Sequence, residues 1–116
     1  IKYATENSKL NNLSNTKYFV GDMKNVFTTQ FIAENGKPTL SIVNPPREGI
    51  DKKVIDKIID IKPKKIVYIS CNSSTLARDL VIFEKKYEIS KLQTVDMFPH
   101  TSHIENVVLL KKIIDV

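Results

Sequence analysis

The chain has 116 residues, about the size of one small domain, and 41% of them are hydrophobic, which is enough to bury a modest core and excludes a disordered chain. One cysteine, no long apolar run and no signal-peptide pattern exclude an internal disulfide and a multi-cysteine metal site within this chain, and we expect a cytoplasmic protein. The net charge of +5 favours a polyanionic partner such as nucleic acid, but the lysines are scattered along the sequence and suit a solvated surface nearly as well.

The first third of the chain is predicted to form short elements. Residues 2–12 have the pattern of a helix, and residues 18–20 have the pattern of a strand. Asp22 is a residue type suited to the N-cap of a helix, which is predicted over 23–34. A further strand over 40–43 ends at the sequence NPPREG, where two prolines forbid both a helix and the interior of a sheet.

The middle of the chain alternates a helix, a strand and a second helix. Asp51 is suited to cap a helix whose isoleucines and valine share one face. A continuous apolar strand over 66–70 follows, of the kind that is buried on both sides. Asn72 or Ser73 then caps the next helix, which also has an apolar side.

The last two predicted strands, 92–97 and 106–112, are joined by a link too short for a parallel crossover, so we expect an antiparallel pair. The whole order is typical of an α/β layer fold with a mostly parallel sheet that ends in this antiparallel pair. Open α/β sheets build their sites at the carboxyl ends of strands. NPPREG, SCNSS and FPHTSHIE all fall at such ends, so we expect their polar side chains to meet.

Cys71 has two interpretations, and its spacing leaves them about equally open. Free cysteine is among the most buried residue types, so a single one in a small domain is often a packing residue. Cys71, however, ends a predicted strand and precedes a helix N-terminus, where partial positive charge favours a thiolate. That position suits a nucleophile.

The other polar residues near the strand ends are also ambiguous. Glu105, before the last strand, is by base rate a solvent-facing carboxylate, although it follows one of the segments that we expect to meet near Cys71. His100 and His103 are too few to form a metal site, so we expect none. Asn44 in NPPR either caps a rigid turn or belongs to a loop that holds a cofactor or a flipped base.

Three of these segments together resemble the RNA (uracil-5-)-methyltransferase family. SIVNPPREGI is similar to its D-P-P-R-x-G loop, YISCNSSTLARDL to its S-C-N-P-x-T-L-A-R-D nucleophile segment, and VDMFPHTSHIENVVLL to its D-x-F-P-x-T-x-H-x-E closing motif. The similarity covers nearly the whole chain as the C-terminal half of that family's domain. The form FPHTSHIENVVLL is closer to the ribosomal-RNA branch than to the transfer-RNA branch.

The resemblance implies a fold, a cofactor and roles for single residues. It implies a partial Rossmann-like, class I methyltransferase fold, with S-adenosylmethionine as cofactor and RNA, ribosomal more than transfer RNA, as partner. Cys71 would be the nucleophile that adds to C6 of the target uracil, and Glu105 the base that removes the C5 proton. Asn44 and Asp22 match cofactor-binding positions of the family.

The chain departs from the family pattern in ways that set further expectations. Asn44 stands where aspartate is usual, which keeps hydrogen bonding but loses a charge, and Ser73 replaces a proline. The glycine-rich cofactor turn is absent, so we expect residues 1–116 to be the C-terminal portion of a methyltransferase catalytic domain. A sheet without its first strands has an open edge, so we expect either a dimer through that edge or disorder of residues 1–20.

Two other functions agree with parts of the sequence. NPP also occurs in methyltransferases that act on exocyclic amines of bases, but there an aromatic residue follows, whereas this chain has Arg47. A cytosine-5 methyltransferase would use a similar thiol addition but does not account for the HIE segment. A non-catalytic RNA-binding module would bind RNA without any need for Cys71 and Glu105.

Overall fold

The computed structural model describes residues 1–114. Their helices and strands, in chain order, are α1 (Lys2–Leu10), α2 (Met23–Val26), α3 (Thr29–Asn35), β1 (Leu40–Val43), α4 (Lys52–Ile61), β2 (Lys65–Ser70), α5 (Ser73–Phe83), β3 (Tyr87–Val95) and β4 (Glu105–Lys112). None of the helices in this part of the chain is long and apolar enough to cross a membrane.

The four strands form one sheet in the order β1-β2-β4-β3. β1 and β2 are parallel, whereas β4 runs antiparallel to both of its neighbours, β2 and β3. The predicted antiparallel pair at the end of the chain is therefore confirmed. Because β4 lies between β2 and β3, the antiparallel part of the sheet is larger than the sequence predicts.

The core lies between one face of the sheet and the two longer helices, α4 and α5. Residues that are directly opposite in a ladder share a face, and the β2–β4 register pairs Ile66 with Leu110 and Tyr68 with Val108, all fully buried. These four side chains pack against the apolar faces of α4 and α5. The predicted amphipathic helix after Asp51 is confirmed, because its valine and isoleucines enter this core.

Three helices begin at the capping residues that the sequence predicts. Asp22 accepts a hydrogen bond from Lys24 N at 2.9 Å, and Asp51 accepts one from Lys53 N at 2.9 Å. Asn72, not Ser73, caps α5 by accepting from Ser74 N at 3.0 Å. Each such bond satisfies a backbone N–H that has no partner within its helix, a contribution of about 1 kcal/mol.

The predicted helix over 23–34 is wrong in one respect, because it is two helices that are separated at Phe27 and Thr28. Thr28 has extended backbone, and its hydroxyl accepts from Phe31 N at 3.1 Å, so it starts a new helix. A threonine side chain that bonds nearby backbone competes with a continuous helix. The sequence pattern contains the same apolar spacing on both sides of this break and therefore does not reveal it.

The predicted strand over 18–20 is also wrong, since these residues are in no strand and are exposed. A strand needs a neighbour that pairs with its backbone groups, and no described strand pairs with this segment. At the other end of the chain, β3 begins at Tyr87, five residues before the predicted start. Pairing with β4 extends it through residues whose side chains do not favour strands by themselves.

β1 forms an edge of the sheet, and its outer side has no described neighbour. The expected open edge is therefore present, and Ile42 on it is 65% exposed. Residues 1–20 form α1 and an irregular segment, so the expectation of disorder there is wrong. Dimer formation through the edge stays a prediction.

Candidate active site

The three segments that the sequence places at strand ends meet in the structure. The loop after β1, residues 44–49, is tied to the start of α5 because the Arg47 carbonyl accepts from Asn72 Nδ2 at 3.1 Å and from Thr75 Oγ1 at 2.9 Å. The Arg47 side chain in turn contacts His103, which belongs to the segment before β4. The expected convergence is therefore confirmed.

Cys71 and Glu105 lie at neighbouring ends of β2 and β4. The β2–β4 register ends with Ser70 opposite Asn106, so the next residue outward on each side is Cys71 and Glu105. Both are half-buried. Side chains alternate between the faces of a strand. Ser70 and Asn106 are buried on the face that carries α4 and α5, so this alternation assigns Glu105, the first residue of β4, to the opposite face, while Cys71 follows the last residue of β2.

The backbone around Cys71 is held by its neighbours. The Ser70 hydroxyl donates to the Asn72 carbonyl at 2.8 Å and accepts from Asn72 N at 3.0 Å. These two bonds bracket Cys71 between the end of β2 and the N-cap of α5. The thiol therefore lies in a turn of defined shape immediately before a helix N-terminus, where orphan N–H groups and the helix dipole favour negative charge.

Cys71 lines a small cavity of about 280 Å³ together with Arg47 and His103. The Nη2 atom of Arg47 is within hydrogen-bonding distance of both ring nitrogens of His103, 3.2 Å from Nε2. This contact joins two loops whose contacting residues are 56 positions apart in the sequence. Glu105 itself does not line this cavity.

Asp22 and Asn44 line a second, larger cavity of about 880 Å³. Asp22 reaches it from the start of α2, and Asn44 from the end of β1. Pro45 and Pro46 also line this cavity, whereas Arg47 lines the smaller one with Cys71. The loop of residues 44–49 therefore separates the two cavities and contributes to both.

Asp79 of α5 holds the end of this loop in place by hydrogen bonds. It is fully buried and accepts hydrogen bonds from Ile50 N at 2.8 Å, from the Tyr68 hydroxyl at 2.7 Å and from Arg78 Nε at 2.9 Å. Arg78 Nη2 also donates to the Glu48 carbonyl at 2.7 Å. The ion pair of Arg78 and Asp79 therefore clamps residues 48–50 against α5 and β2.

This network changes the titration of Tyr68. Burial, and next the hydrogen bond to Asp79, raise the pKa of the Tyr68 phenol because both disfavour the phenolate. Tyr68 therefore remains a neutral donor to Asp79.

Asp51, the N-cap of α4, shows the opposite shift. The backbone N–H of Lys53 and then the side chain of Lys24 lower the pKa of Asp51, since both favour the carboxylate.

Gly49 is required by this clamp. Its φ of +79° is in the left-handed region that favours glycine. A Cβ at this position would lie 2.5 Å from Arg78 Nη2 and 2.6 Å from Asp79 Oδ2. The loop approaches the ion pair this closely only because residue 49 has no side chain.

Among residues 1–114, no three His, Cys, Asp or Glu side chains are grouped so that they could hold a metal ion. His103 is engaged with Arg47, as described above. The cavity that Cys71 lines therefore combines a thiol with the guanidinium of Arg47 and the imidazole of His103.

Residues 25–113 match the sequence model of the family described as tRNA (Uracil-5-)-methyltransferase. The chain belongs to this family. Its relatives include an uncharacterised RNA methyltransferase of Bacteroides thetaiotaomicron, which is 47% identical over 96% of this chain and 24% of the relative. Another, from Porphyromonas gingivalis, is 48% identical over 95% of this chain and 24% of the relative. The chain thus spans about a quarter of the length of these curated relatives.

Two solved structures are similar to this chain. The Pyrococcus abyssi tRNA (uracil-54, C5)-methyltransferase, in complex with S-adenosyl-L-homocysteine, is 34% identical and has a TM-score of 0.79 over 95% of this chain and 26% of its own. The METTL16 methyltransferase domain, at 18% identity and a TM-score of 0.61, covers 98% of this chain and 46% of its own and shows the fold alone. The class I methyltransferase fold that the sequence implies is confirmed.

Within the family motif, sequence reasoning identified the segment LARDL but missed Asp79 as a structural centre. A signal was available, since Asp79 is three residues after the buried Leu76 and four before the buried Phe83. Those spacings place it on the apolar face of α5. A carboxylate on such a face needs partners, and Arg78 is next to it in the sequence.

Proposed function

We propose that the protein containing these residues methylates C5 of a uridine in RNA, and that residues 1–116 are the C-terminal portion of its catalytic domain. The observation that carries this proposal is the register of β2 and β4, whose last pair, Ser70 and Asn106, directly precedes Cys71 on one strand and follows Glu105 on the other, while Cys71 and Arg47 line one cavity. Family membership supports the same reaction.

Cys71 is the proposed nucleophile. C5 of uracil is a weak nucleophile until an electron pair reaches it from elsewhere in the ring. When the Cys71 thiolate forms a bond to C6, the electron pair of the C5–C6 double bond moves to C5 and, by conjugation, to O4. Arg47, which lines the cavity with Cys71, is suited to stabilise that developing negative charge.

Glu105 is the proposed base that completes the reaction. After C5 gains the methyl group, it still carries its original hydrogen. Glu105 takes that proton, the electron pair re-forms the C5–C6 double bond, and the bond from C6 to Cys71 breaks, so that the thiolate leaves. Glu105 then releases the proton to water. The position of both residues directly beyond the last pair of the β2–β4 ladder supports this division of roles.

S-adenosylmethionine, when bound, supplies an electrophilic methyl group on its sulfonium. Asp22 and Asn44 line the 880 Å³ cavity, and their side chains suit such a ligand. A carboxylate and an amide oxygen accept hydrogen bonds from ribose hydroxyls and amino groups. Asn44 also donates hydrogen bonds, although it lacks the charge of the aspartate that is usual in the family. We propose that these two residues contribute to the cofactor site.

The proposed RNA is ribosomal. The segment FPHTSHIENVVLL supports this choice, because it is closer to the ribosomal-RNA branch. The similar structure from Pyrococcus abyssi is a tRNA enzyme, so the experiment compares the two RNA classes directly. Methylation of transfer RNA but not of ribosomal RNA would overturn this choice and leave the uridine chemistry intact.

The complete protein tests the mechanism with RNA in which 5-fluorouridine replaces uridine. Fluorine at C5 does not leave as a proton, so the bond to Cys71 persists, and a covalent protein–RNA species should appear on a denaturing gel. Cys71→Ala should abolish it, whereas Ser74→Ala, on the exposed start of α5, should retain it. If Cys71→Ala kept methylating activity, an exocyclic-amine reaction would replace this proposal.

A further inference from the structure

The fold gathers lysines that are scattered in the sequence at the end of the sheet opposite Cys71. Backbone bonds join their segments: Lys112 N donates to the Lys64 carbonyl at 3.1 Å, and Ile113 N to the Lys86 carbonyl at 2.9 Å. We name this surface the lysine rim. Its members surround the start of β2 and the end of β4, and they are Lys62, Lys64, Lys65, Lys85, Lys86, Lys111 and Lys112.

Two members of the lysine rim lie opposite each other in the sheet, so their positive charges repel. The β2–β4 register pairs Lys65 directly with Lys111, and like charges opposite each other in a ladder destabilise a sheet. Glu88 of β3 is also opposite Lys111. Even so, no ion pair within residues 1–114 includes a member of the rim. The charge of the rim therefore lacks a partner in the described part of the fold.

Favourable interactions with helix C-termini explain the positions of only some lysines of the rim. Lys62 is the C-cap of α4, and Lys85 follows the end of α5, where cations interact favourably with the helix dipole. That interaction does not reach the pair formed by Lys65 and Lys111, which lie in strands. Helix dipoles therefore do not explain why Lys65 and Lys111 lie opposite each other.

We propose that the lysine rim binds the phosphate backbone of the RNA substrate, at a distance from the target nucleotide. The six residues of β2 run from Lys65 of the rim to Ser70, next to Cys71, a length of about 20 Å, which a few nucleotides of RNA span. Six of the seven lysines are exposed, and Lys112 is half-buried. Lysine is depleted in protein–protein interfaces, whereas it gains by releasing counterions from phosphates. The inference rests on the proposed function for the identity of the partner.

The salt dependence of RNA binding by the complete protein tests this surface. The variant Lys64→Gln/Lys65→Gln/Lys111→Gln removes three charges from the rim. The slope of log affinity against log salt should fall by about 2 to 3, since each phosphate contact contributes about 0.7 to 0.9. The matched control, Lys2→Gln/Lys9→Gln/Lys17→Gln, removes three exposed lysines outside the rim and should leave the slope unchanged.

Two further measurements separate binding from folding and from catalysis. Because the rim variant relieves the repulsion of Lys65 and Lys111, its thermal midpoint should be equal or higher while its KM for RNA rises and kcat at saturating RNA is unchanged. An unchanged slope and KM would overturn the inference, including the case in which the rim binds an acidic protein. A rim-dependent slope in a protein that forms no Cys71 adduct would refute the proposed function and leave the rim in place.

Discussion

Cys71 and Glu105 lie one register step beyond Ser70 and Asn106, the last pair of the β2–β4 ladder. The two residues are 34 positions apart in the sequence, and they lie at neighbouring strand ends because β4 inserts beside β2 instead of adding to the outside of β3. A reaction that needs a nucleophile and a base on the same substrate ring is served by this arrangement. The relationship leads to the first prediction.

Replacement of Glu105 should stop the reaction at the covalent intermediate, whereas replacement of Cys71 should prevent that intermediate from forming. In the complete protein, Glu105→Gln should lower kcat by about 10² to 10⁴ and accumulate a covalent RNA adduct with ordinary uridine, because the C5 proton is not removed. Cys71→Ala should form no adduct. A denaturing gel with labelled RNA distinguishes the two. An adduct-free Glu105→Gln protein of normal activity would contradict the role of Glu105.

Removal of the buried carboxylate should destabilise the fold. Asp79→Ala leaves the Ile50 N–H and the Tyr68 hydroxyl without an acceptor, at about 1 to 3 kcal/mol for each buried group. Urea unfolding measures the loss. The matched control is Asp56→Ala, which removes an exposed ion pair with Lys52 and should lower the free energy of unfolding by less than about 1 kcal/mol. Equal effects of the two substitutions would contradict the role of Asp79.

Two glycines with similar φ separate strain from contact. Gly49 and Gly36 both have positive φ, +79° and +86°, so alanine is strained at either position, by about 1 to 3 kcal/mol. At Gly49 the new methyl group also meets the Arg78–Asp79 pair, whereas at Gly36 nothing lies within 4 Å.

Gly49→Ala should therefore lower the free energy of unfolding by about 1 to 3 kcal/mol more than Gly36→Ala, since overpacking adds to strain. Chemical denaturation of both variants gives this difference. The RNA adduct formed by Cys71 should also decrease in Gly49→Ala, because the loop that contains Arg47 shifts. A difference near zero would show that the loop relaxes without disturbing the clamp.

The raised pKa of Tyr68 predicts how stability changes at alkaline pH. The folded state holds the phenol proton above pH 10.0, the ordinary pKa, whereas the unfolded state releases it. The contribution of Tyr68 is thus complete below pH 10.0 and is lost as the pH rises towards the folded pKa. The free energy of unfolding should fall over this range.

The variant Tyr68→Phe isolates this effect. Its free energy of unfolding should fall less steeply above pH 10.0, although burial also raises the pKa of Tyr87, so part of the slope remains. Tyr3→Phe replaces a tyrosine that is 76% exposed and should leave the slope as it is. A Tyr68→Phe protein with the original slope would contradict the prediction.

Local chemistry determined much of this fold. The caps at Asp22, Asp51 and Asn72 were predictable because a side-chain oxygen next to an apolar periodic segment acts within a few residues. The strands β1 and β2 were predictable for a similar reason, since short apolar runs between turn residues have few alternatives. The motifs around Cys71 and Glu105 identified the family, but the roles of these two residues stay predictions.

Long-range pairing determined the rest. The sequence alone determined the helices with strong apolar faces, the caps, the antiparallel end of the sheet and the segments that carry the candidate chemistry, because each depends on neighbours in the chain. Only the tertiary structure decided that residues 18–20 form no strand, that Asp79 clamps the loop before Ile50, and that seven distant lysines form one rim. Each of these depends on which segments become neighbours in space, and that is set by the sheet order and register.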